Sequence, residues 1–126
     1  MADSLGNFKF DMKLNTYSKA ADGTIVVEVH FEGEADGFGV AFGTLNVPLP
    51  EGGAKSGSCT STGHAFPPDR PWVVSSGEGV WAQVEGLNRW KLIFPVIKIS
   101  DGSQLRSEGE IDLAKRIFSG QILDAS

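Results

Sequence analysis

The sequence has few of the features that mark secreted, membrane-spanning or disulfide-bonded proteins. It contains one cysteine, Cys59, in 126 residues, which excludes an intramolecular disulfide and a metal site built from several cysteines. No run approaches 18 consecutive apolar residues, so no membrane span is predicted. Residues 1–10 lack a basic segment followed by an apolar one, so no signal peptide is predicted. These absences predict a cytoplasmic protein that has no membrane partner.

Basic residues are also scarce. Eleven Lys and Arg stand against 16 Asp and Glu, which gives a formal net charge of −5. Such a chain lacks the broad positive potential that attracts phosphate backbones, so nucleic acid is not an expected partner. Glycine, in contrast, is abundant: 16 residues, nearly twice the average usage of about 7%. The length predicts a single domain, residues 1–126.

Alternation of apolar and polar residues is the main structural signal. In the clearest case, polar residues alternate with Phe8, Phe10, Met12 and Leu14. Residues 25–31 repeat the pattern, and a period of two is typical of strands with one buried face. The glycine-rich run 33–43 is predicted to continue to Val47 as one bent or bulged strand, because its four glycines disfavour a helix.

Further strands are predicted in the second half, at 56–66, 72–84, 90–99 and 105–110. Pro95 cannot donate to a ladder, so a bulge or an unpaired amide is expected beside it. Residues 110–119 have two open interpretations. Helical spacing of apolar residues favours a short helix, whereas isoleucines on both sides of 114–116 favour a hairpin. We favour the hairpin, because Gly120 breaks a longer helix.

About eight short strands joined by tight turns predict an all-β fold. The most economical arrangement is a single-domain antiparallel meander that closes into a small barrel, and the alternative is a two-sheet β-sandwich. Closure removes exposed strand edges. Eight strands leave an interior just wide enough for side chains or for one small ligand.

Residues that could carry out acid–base chemistry concentrate around a stiff loop. His64 ends a small polar strand just before residues 67–71, where three prolines would hold Arg70 rigidly. Glu78 lies between two glycines further along the chain. If one cavity joins the three, His64 or Glu78 could move a proton and Arg70 could stabilise an oxyanion. The alternative is a surface role for each: loop hydrogen bonding, an exposed ion pair and a solvated bulge.

Aromatic residues supply a second candidate site. Three tryptophans recur at nine-residue intervals on successive predicted strand segments. Aromatic walls are typical of small-molecule pockets, although core packing explains the same residues. The candidate ligand-binding residues are Phe42, Trp72, Trp81, Trp90 and Phe94.

No motif predicts a metal, a cofactor or a reactive thiol. His30 lies between Glu28 and Glu32, but three neighbours on one strand face are too widely spaced to chelate a metal alone. Residues 37–39 contain Gly-x-Gly without a following helix, which disfavours a dinucleotide site. Cys59 has no base near it in the sequence. We therefore expect no metal and no cofactor.

The strand pattern resembles that of a known class of barrels. The meander of eight short strands, ending in the run 107–114 and then Phe118-Ser119-Gly120, is similar to small bacterial proteins of the allene-oxide-cyclase-like or lipocalin-like (calycin-type) barrel. Such barrels bind hydrophobic molecules, and some act as isomerases or cyclases. The resemblance implies a barrel with an interior that accepts a ligand, and it carries over no individual site residue.

Three functional hypotheses follow from these patterns. The first is binding of a small, largely hydrophobic molecule in the barrel interior. The second is a cofactor-free isomerase, cyclase or lyase that uses His64, Arg70 and Glu78 in the same cavity. The third is a structural module that forms a homo-oligomer through residues 92–99, which are predicted to be apolar on both faces of their strand.

Overall fold

The computed structural model describes residues 3–86 and 88–126, and these form an all-β barrel. Its eight strands are β1 (Ser4–Lys19), β2 (Ile25–Ala35), β3 (Gly39–Leu49), β4 (Ser56–Phe66), β5 (Val73–Gln83), β6 (Arg89–Ile99), β7 (Gln104–Asp112) and β8 (Ile117–Asp124). Each strand pairs antiparallel with the next, and β8 pairs with β1. The predicted closed meander is confirmed. In residues 3–86 and 88–126, no helix has the length and apolarity needed to cross a membrane.

The interior is filled by the apolar face of each strand. Four phenylalanine rings pack together at its centre and are called here the phenylalanine cluster: Phe8, Phe10, Phe31 and Phe118. The ring centroids of Phe10 and Phe31 are 4.7 Å apart, and those of Phe8 and Phe118 are 5.0 Å apart in an edge-to-face arrangement. These distances are favourable for aromatic pairs, so the cluster stabilises the barrel beyond its buried area.

Glycines make room where β7, β8 and β1 meet. Gly109 is the cross-strand partner of Gly120, and a Cβ atom at Gly109 would lie 2.8 Å from the Phe8 ring. A Cβ atom at Gly120 would overlap the carbonyl oxygen of Glu108 and lie 2.5 Å from the Gly109 Cα atom. Both glycines are therefore required for close approach of strands and rings, as expected for a barrel that bends sharply.

The glycine-rich run 33–43 differs from its prediction. It is not one bent strand: β2 ends at Ala35, a turn follows, and β3 begins at Gly39. Gly37 and Gly39 have φ values of 80° and 71°, which residues with a side chain rarely adopt. The glycines therefore reverse the chain instead of bending it.

Two local predictions in the second half are confirmed. The pairing of β6 with β7 shifts register between Phe94 and Ile97, around Pro95. The C-terminal segment is a hairpin of β7 and β8, closed by a turn in which Arg116 has a φ of 57°. The expectation that residues 92–99 are buried on both faces is wrong, because Val96 on the outer face is 39% exposed.

Candidate functional site

The two ends of the barrel differ in chemistry. Because the strands form a meander, the turns after even-numbered strands lie at one end and those after odd-numbered strands at the other. The first end carries the residue 67–72 loop and is called here the proline-loop end. The second is called the tryptophan end, because Trp81 and Trp90 line its pocket. Each end therefore has to be considered as a separate candidate site.

The tryptophan end contains the larger of the two interior pockets. Its volume is about 540 Å³, within the range of about 300–1,000 Å³ that small-molecule pockets occupy. Trp81 is 7% exposed and forms one wall. Apolar side chains from the neighbouring strands complete the lining, among them Met12, Val27, Val47, Trp90 and Leu92. An apolar molecule placed here would exchange water for hydrocarbon and aromatic contacts.

Two residues of the lining, Asn15 on β1 and Trp81 on β5, each have a buried polar atom, Oδ1 and Nε1, with no hydrogen-bond partner within residues 3–86 and 88–126. Most buried polar atoms are paired, and leaving one unpaired costs roughly 1–3 kcal/mol. The Trp81 indole packs over Gly57, where a Cβ atom would lie 2.8 Å from Nε1. The bare Gly57 backbone is therefore what allows the indole to lie in this position.

The pocket carries little charge. Among its described lining residues, Glu51 is the only one with a charged side chain, and it is exposed at the β3–β4 loop. A ligand with a negative charge would thus meet a carboxylate and no cation. The lining favours a neutral molecule.

A second, smaller cavity lies deeper in the core, between the phenylalanine cluster and the proline-loop end. Its volume is about 110 Å³, and its lining includes Phe94 with the hydroxyl-bearing side chains Ser61, Ser75 and Ser107. Pockets for drug-sized ligands are several times larger. This cavity has room for only a few atoms beyond the side chains that surround it.

Arg70 links neighbouring loops at the proline-loop end. Its guanidinium donates to the carbonyl oxygen of Gly37 at 3.2 Å and to Asp69 at 2.9 Å, lies 3.5 Å from Asp101, and sits 5.0 Å above the Phe38 ring. The hydrogen bonds from Ser103, and secondarily Arg70, hold the pKa of Asp101 below its usual value. The contacts of Arg70 join loops, and although Phe38 lines the core cavity, Arg70 is not among the described residues of that lining.

His64 belongs to an aromatic surface on the outside of the barrel. Its ring centroid is 4.7 Å from that of Phe66, 6.0 Å from Phe42 and 6.2 Å from Trp72. We call this surface the outer aromatic face and define it by Val40, Phe42, His64, Phe66, Trp72 and Val74. Trp72 is 61% exposed, so its indole is available to a partner and does not wall the interior.

The structure separates the residues that the sequence grouped as catalytic. His64 reaches the edge of the core cavity from the outer face, Arg70 lies in the loop, and Glu78 is exposed on β5 between Thr60 and Val96 of the adjacent strands. The three side chains are not brought to one cavity. The arrangement that general acid–base catalysis by this set requires is therefore not formed.

The candidate ligand-binding residues divide between inside and outside. Trp81 and Trp90 line the tryptophan-end pocket, and Phe94 lines the core cavity. Phe42, 39% exposed, also touches the edge of the core cavity but belongs with Trp72 to the outer aromatic face. Two of the five predicted wall residues therefore share the tryptophan-end pocket.

Asn15 is a pocket residue that sequence reasoning missed. Strict alternation in β1 places it on the outer face, with the polar residues of that strand. The β1–β2 register shifts between Met12 and Leu14, and this irregularity turns Asn15 inward. No feature of the sequence marks the shift, because the apolar alternation continues through Leu14.

The buried thiol of Cys59 is a weak nucleophile. The residue is 1% exposed on β4, and burial raises the pKa of its thiol from the usual 9.0 to about 11. The reactive form of cysteine is the thiolate. Cys59 therefore fills space in the core at neutral pH.

Comparison with known proteins gives no relative: no family model, no curated protein and no solved structure matches the chain. The resemblance to allene-oxide-cyclase-like and lipocalin-like barrels thus stays a prediction. The functional proposals below depend on the pockets and surfaces of this chain alone.

Proposed function

We propose that the protein binds a small, largely apolar molecule inside the barrel, in the pocket at the tryptophan end. The observation that carries the proposal is the pocket of about 540 Å³ with predominantly apolar walls. Two of those walls are the indoles of Trp81 and Trp90. Large apolar pockets with a few convergent polar groups are the usual form of small-molecule sites.

The test is a fluorescence titration with hexylbenzene. Replacing the exposed Trp72 by Phe removes the indole that lies outside the pocket, so the remaining signal comes from Trp81 and Trp90. We expect a saturable change in emission on titration of this variant. Adding Ala54→Phe, at a half-buried position in the pocket lining, should weaken binding by about tenfold, because the new ring occupies ligand volume.

A matched control for the filled pocket is Ala82→Phe, at an exposed position on β5 outside the pocket lining. This variant should bind hexylbenzene as the Trp72→Phe protein does. Emission that changes linearly without saturation, or equal affinity for the Ala54→Phe and Ala82→Phe proteins, would show that the pocket is not the binding site.

We also propose that a second copy of the chain covers the outer aromatic face. Cross-strand pairing makes this surface continuous, since Val40 pairs with Phe66 and His64 pairs with both Phe42 and Val74. Phe66 and Val74 are 44% and 46% exposed. Contiguous exposed apolar residues of this kind mark interaction surfaces.

The charges that flank the face favour a second copy as the partner. Glu34 borders it on β2, as the neighbour of Val40, and Lys98 borders it on β6 beyond Ser76. Glu32, the neighbour of Phe42, also lies on β2, with Lys13 Nζ 3.7 Å from its carboxylate. A two-fold axis parallel to the strands would place β2 of one copy against β6 of the other. Acidic and basic flanks would then meet on both sides of the apolar centre.

Sedimentation velocity at micromolar concentration tests the dimer. We expect the native protein to sediment as a dimer and Trp72→Ser to shift it to a monomer. Val80→Ser, at a 55% exposed position on β5 away from this face, should leave the dimer intact. A monomeric native protein contradicts the proposal, and so does a dimer that Trp72→Ser does not weaken.

A further inference from the structure

We propose that the tryptophan end docks on a lipid surface that carries negative charge, with the mouth of its pocket turned toward the lipid. The contact is peripheral: apolar side chains around the mouth enter the interface, and basic side chains beside them meet the headgroups. The inference goes beyond the proposed function, because it concerns the surface of this end and not the occupant of the pocket. The expectation of no membrane partner rests on the lack of a membrane-spanning run, which contact with a lipid surface does not need.

Exposed apolar side chains border the mouth of the pocket. Tyr17, Ile25, Leu49 and Leu113 line the pocket and are 65%, 43%, 37% and 40% exposed, and Pro50, which follows Leu49, is exposed as well. We call these five residues the apolar rim. Ile25 on β2 is the cross-strand partner of Leu49 on β3, so this part of the rim is continuous. Clustered apolar residues at a surface mark contact with a partner or a membrane.

Basic side chains gather at the same end. The turns after odd-numbered strands, with one flanking strand residue on each side, are 19–25, 49–56, 83–89 and 112–117. They contain five basic residues against four acidic ones: Lys19, Lys55, Arg89, Lys115 and Arg116 against Asp22, Glu51, Glu85 and Asp112. All five basic residues are exposed. Lys19 is the cross-strand partner of Ile25, and Lys115 follows Leu113 by two positions, so cations lie beside the apolar rim.

The opposite end of the barrel is acidic. The turns after even-numbered strands and the described chain ends contain one basic side chain against five acidic ones: Arg70 against Asp3, Asp36, Asp69, Asp101 and Asp124. The net charge of −5 is therefore distributed unevenly along the barrel. Near an anionic surface, this distribution turns the tryptophan end toward the lipid and the proline-loop end toward water.

The apolar rim and the cations together favour a lipid surface over a second copy of the chain. A two-fold contact between tryptophan ends would bring the five basic side chains of one copy toward the same five of the other. Anionic headgroups above hydrocarbon instead offer partners to the cations and an apolar layer to the rim. Tyr17 suits this boundary, because tyrosine combines an apolar ring with a polar hydroxyl.

Co-sedimentation with vesicles, in the absence of any added pocket ligand, tests the docking. We expect saturable binding to vesicles of phosphatidylcholine mixed with phosphatidylserine. Binding to vesicles of phosphatidylcholine alone should be about tenfold weaker, because the contribution of the basic residues is lost. Binding to the mixed vesicles should also weaken as the salt concentration rises, since salt screens exposed charges.

Two variants with matched controls locate the contact. Leu113→Ser shortens an apolar side chain of the rim, and its control is Val96→Ser, at a 39% exposed position on the outer face of β6. Lys115→Glu reverses a charge at the tryptophan end, and Lys9→Glu makes the same change at an exposed position in the first half of β1. We expect Leu113→Ser and Lys115→Glu each to weaken binding to the mixed vesicles about fivefold. The controls should stay within about twofold of the native protein.

The outcomes separate this inference from the proposed function. Absence of saturable binding to the mixed vesicles overturns the inference, as does equal affinity for the two kinds of vesicle. Equal weakening by a variant and its control overturns it too. If Leu113→Ser dissociates a dimer in sedimentation velocity without vesicles, the rim is a contact between copies and the inference is wrong. The hexylbenzene titration contains no lipid, so its failure removes the proposed pocket ligand and leaves the docking test unaffected.

Discussion

Replacement of Gly120 by alanine is expected to destabilise the barrel by about 3 kcal/mol or more. The added Cβ atom would overlap the backbone carbonyl oxygen of Glu108 and come within 2.5 Å of the Gly109 Cα atom. Both obstacles are backbone atoms, so no side-chain rotation relieves them, and β7 and β8 must separate. Because domains are stable by only about 5–15 kcal/mol, a loss of this size removes a large share of the total.

Urea unfolding measured by circular dichroism checks this expectation. Gly52→Ala is the control, since a Cβ atom there would have nothing within 4 Å and its unfolding free energy should change by less than about 0.5 kcal/mol. Equal stability of the two variants would mean that β7 and β8 approach each other less closely than described.

Truncation of Phe94 to alanine is expected to cost about 3–5 kcal/mol. The side chain is 2% exposed and borders the core cavity of about 110 Å³. Removing its ring eliminates buried apolar surface and enlarges a void that the neighbouring rings cannot close without leaving their packed positions. Enlarged apolar voids accept small hydrocarbons, so benzene should restore part of the lost stability.

The same unfolding assay, with and without benzene, measures both effects. Val96→Ala on the same strand is the control, because Val96 lies on the outer face and is 39% exposed; its cost should stay below about 1 kcal/mol. If Phe94→Ala costs no more than Val96→Ala, the barrel interior is not the close-packed core described above.

The fold could be predicted from the sequence wherever one face of a strand is uniformly apolar. Phe8, Phe10 and Met12 are buried as their alternation predicts. The pattern failed where the backbone departs from regular pairing. Asn15 follows a register shift, and residues 33–43 contain a turn that their glycines also permit. The register shift and the turn both depend on how neighbouring strands pair, and the local sequence does not determine that pairing.

The candidate site could be predicted only in part from the sequence, for a related reason. Trp81 lies inside because it continues the alternation of β5, which pairs with β4 without a register shift. Trp72 follows the proline loop and precedes β5, where no alternation fixes its direction. The sequence grouped Arg70 with His64 by proximity along the chain. In the barrel Arg70 instead joins turns that are more than 30 residues apart, from Gly37 to Asp69 and Asp101.

Closure of the barrel by β8 has a consequence for how the chain reaches its native state. The ladder between β1 and β8 joins Ser4 to Leu123, so the contacts that complete the sheet span nearly the whole polypeptide. Long-range pairing of this kind slows folding. Until β8 arrives, one side of β1 offers unpaired amides and carbonyls to any other extended chain. The interval before closure is therefore the stage at which this protein is most exposed to aggregation during synthesis.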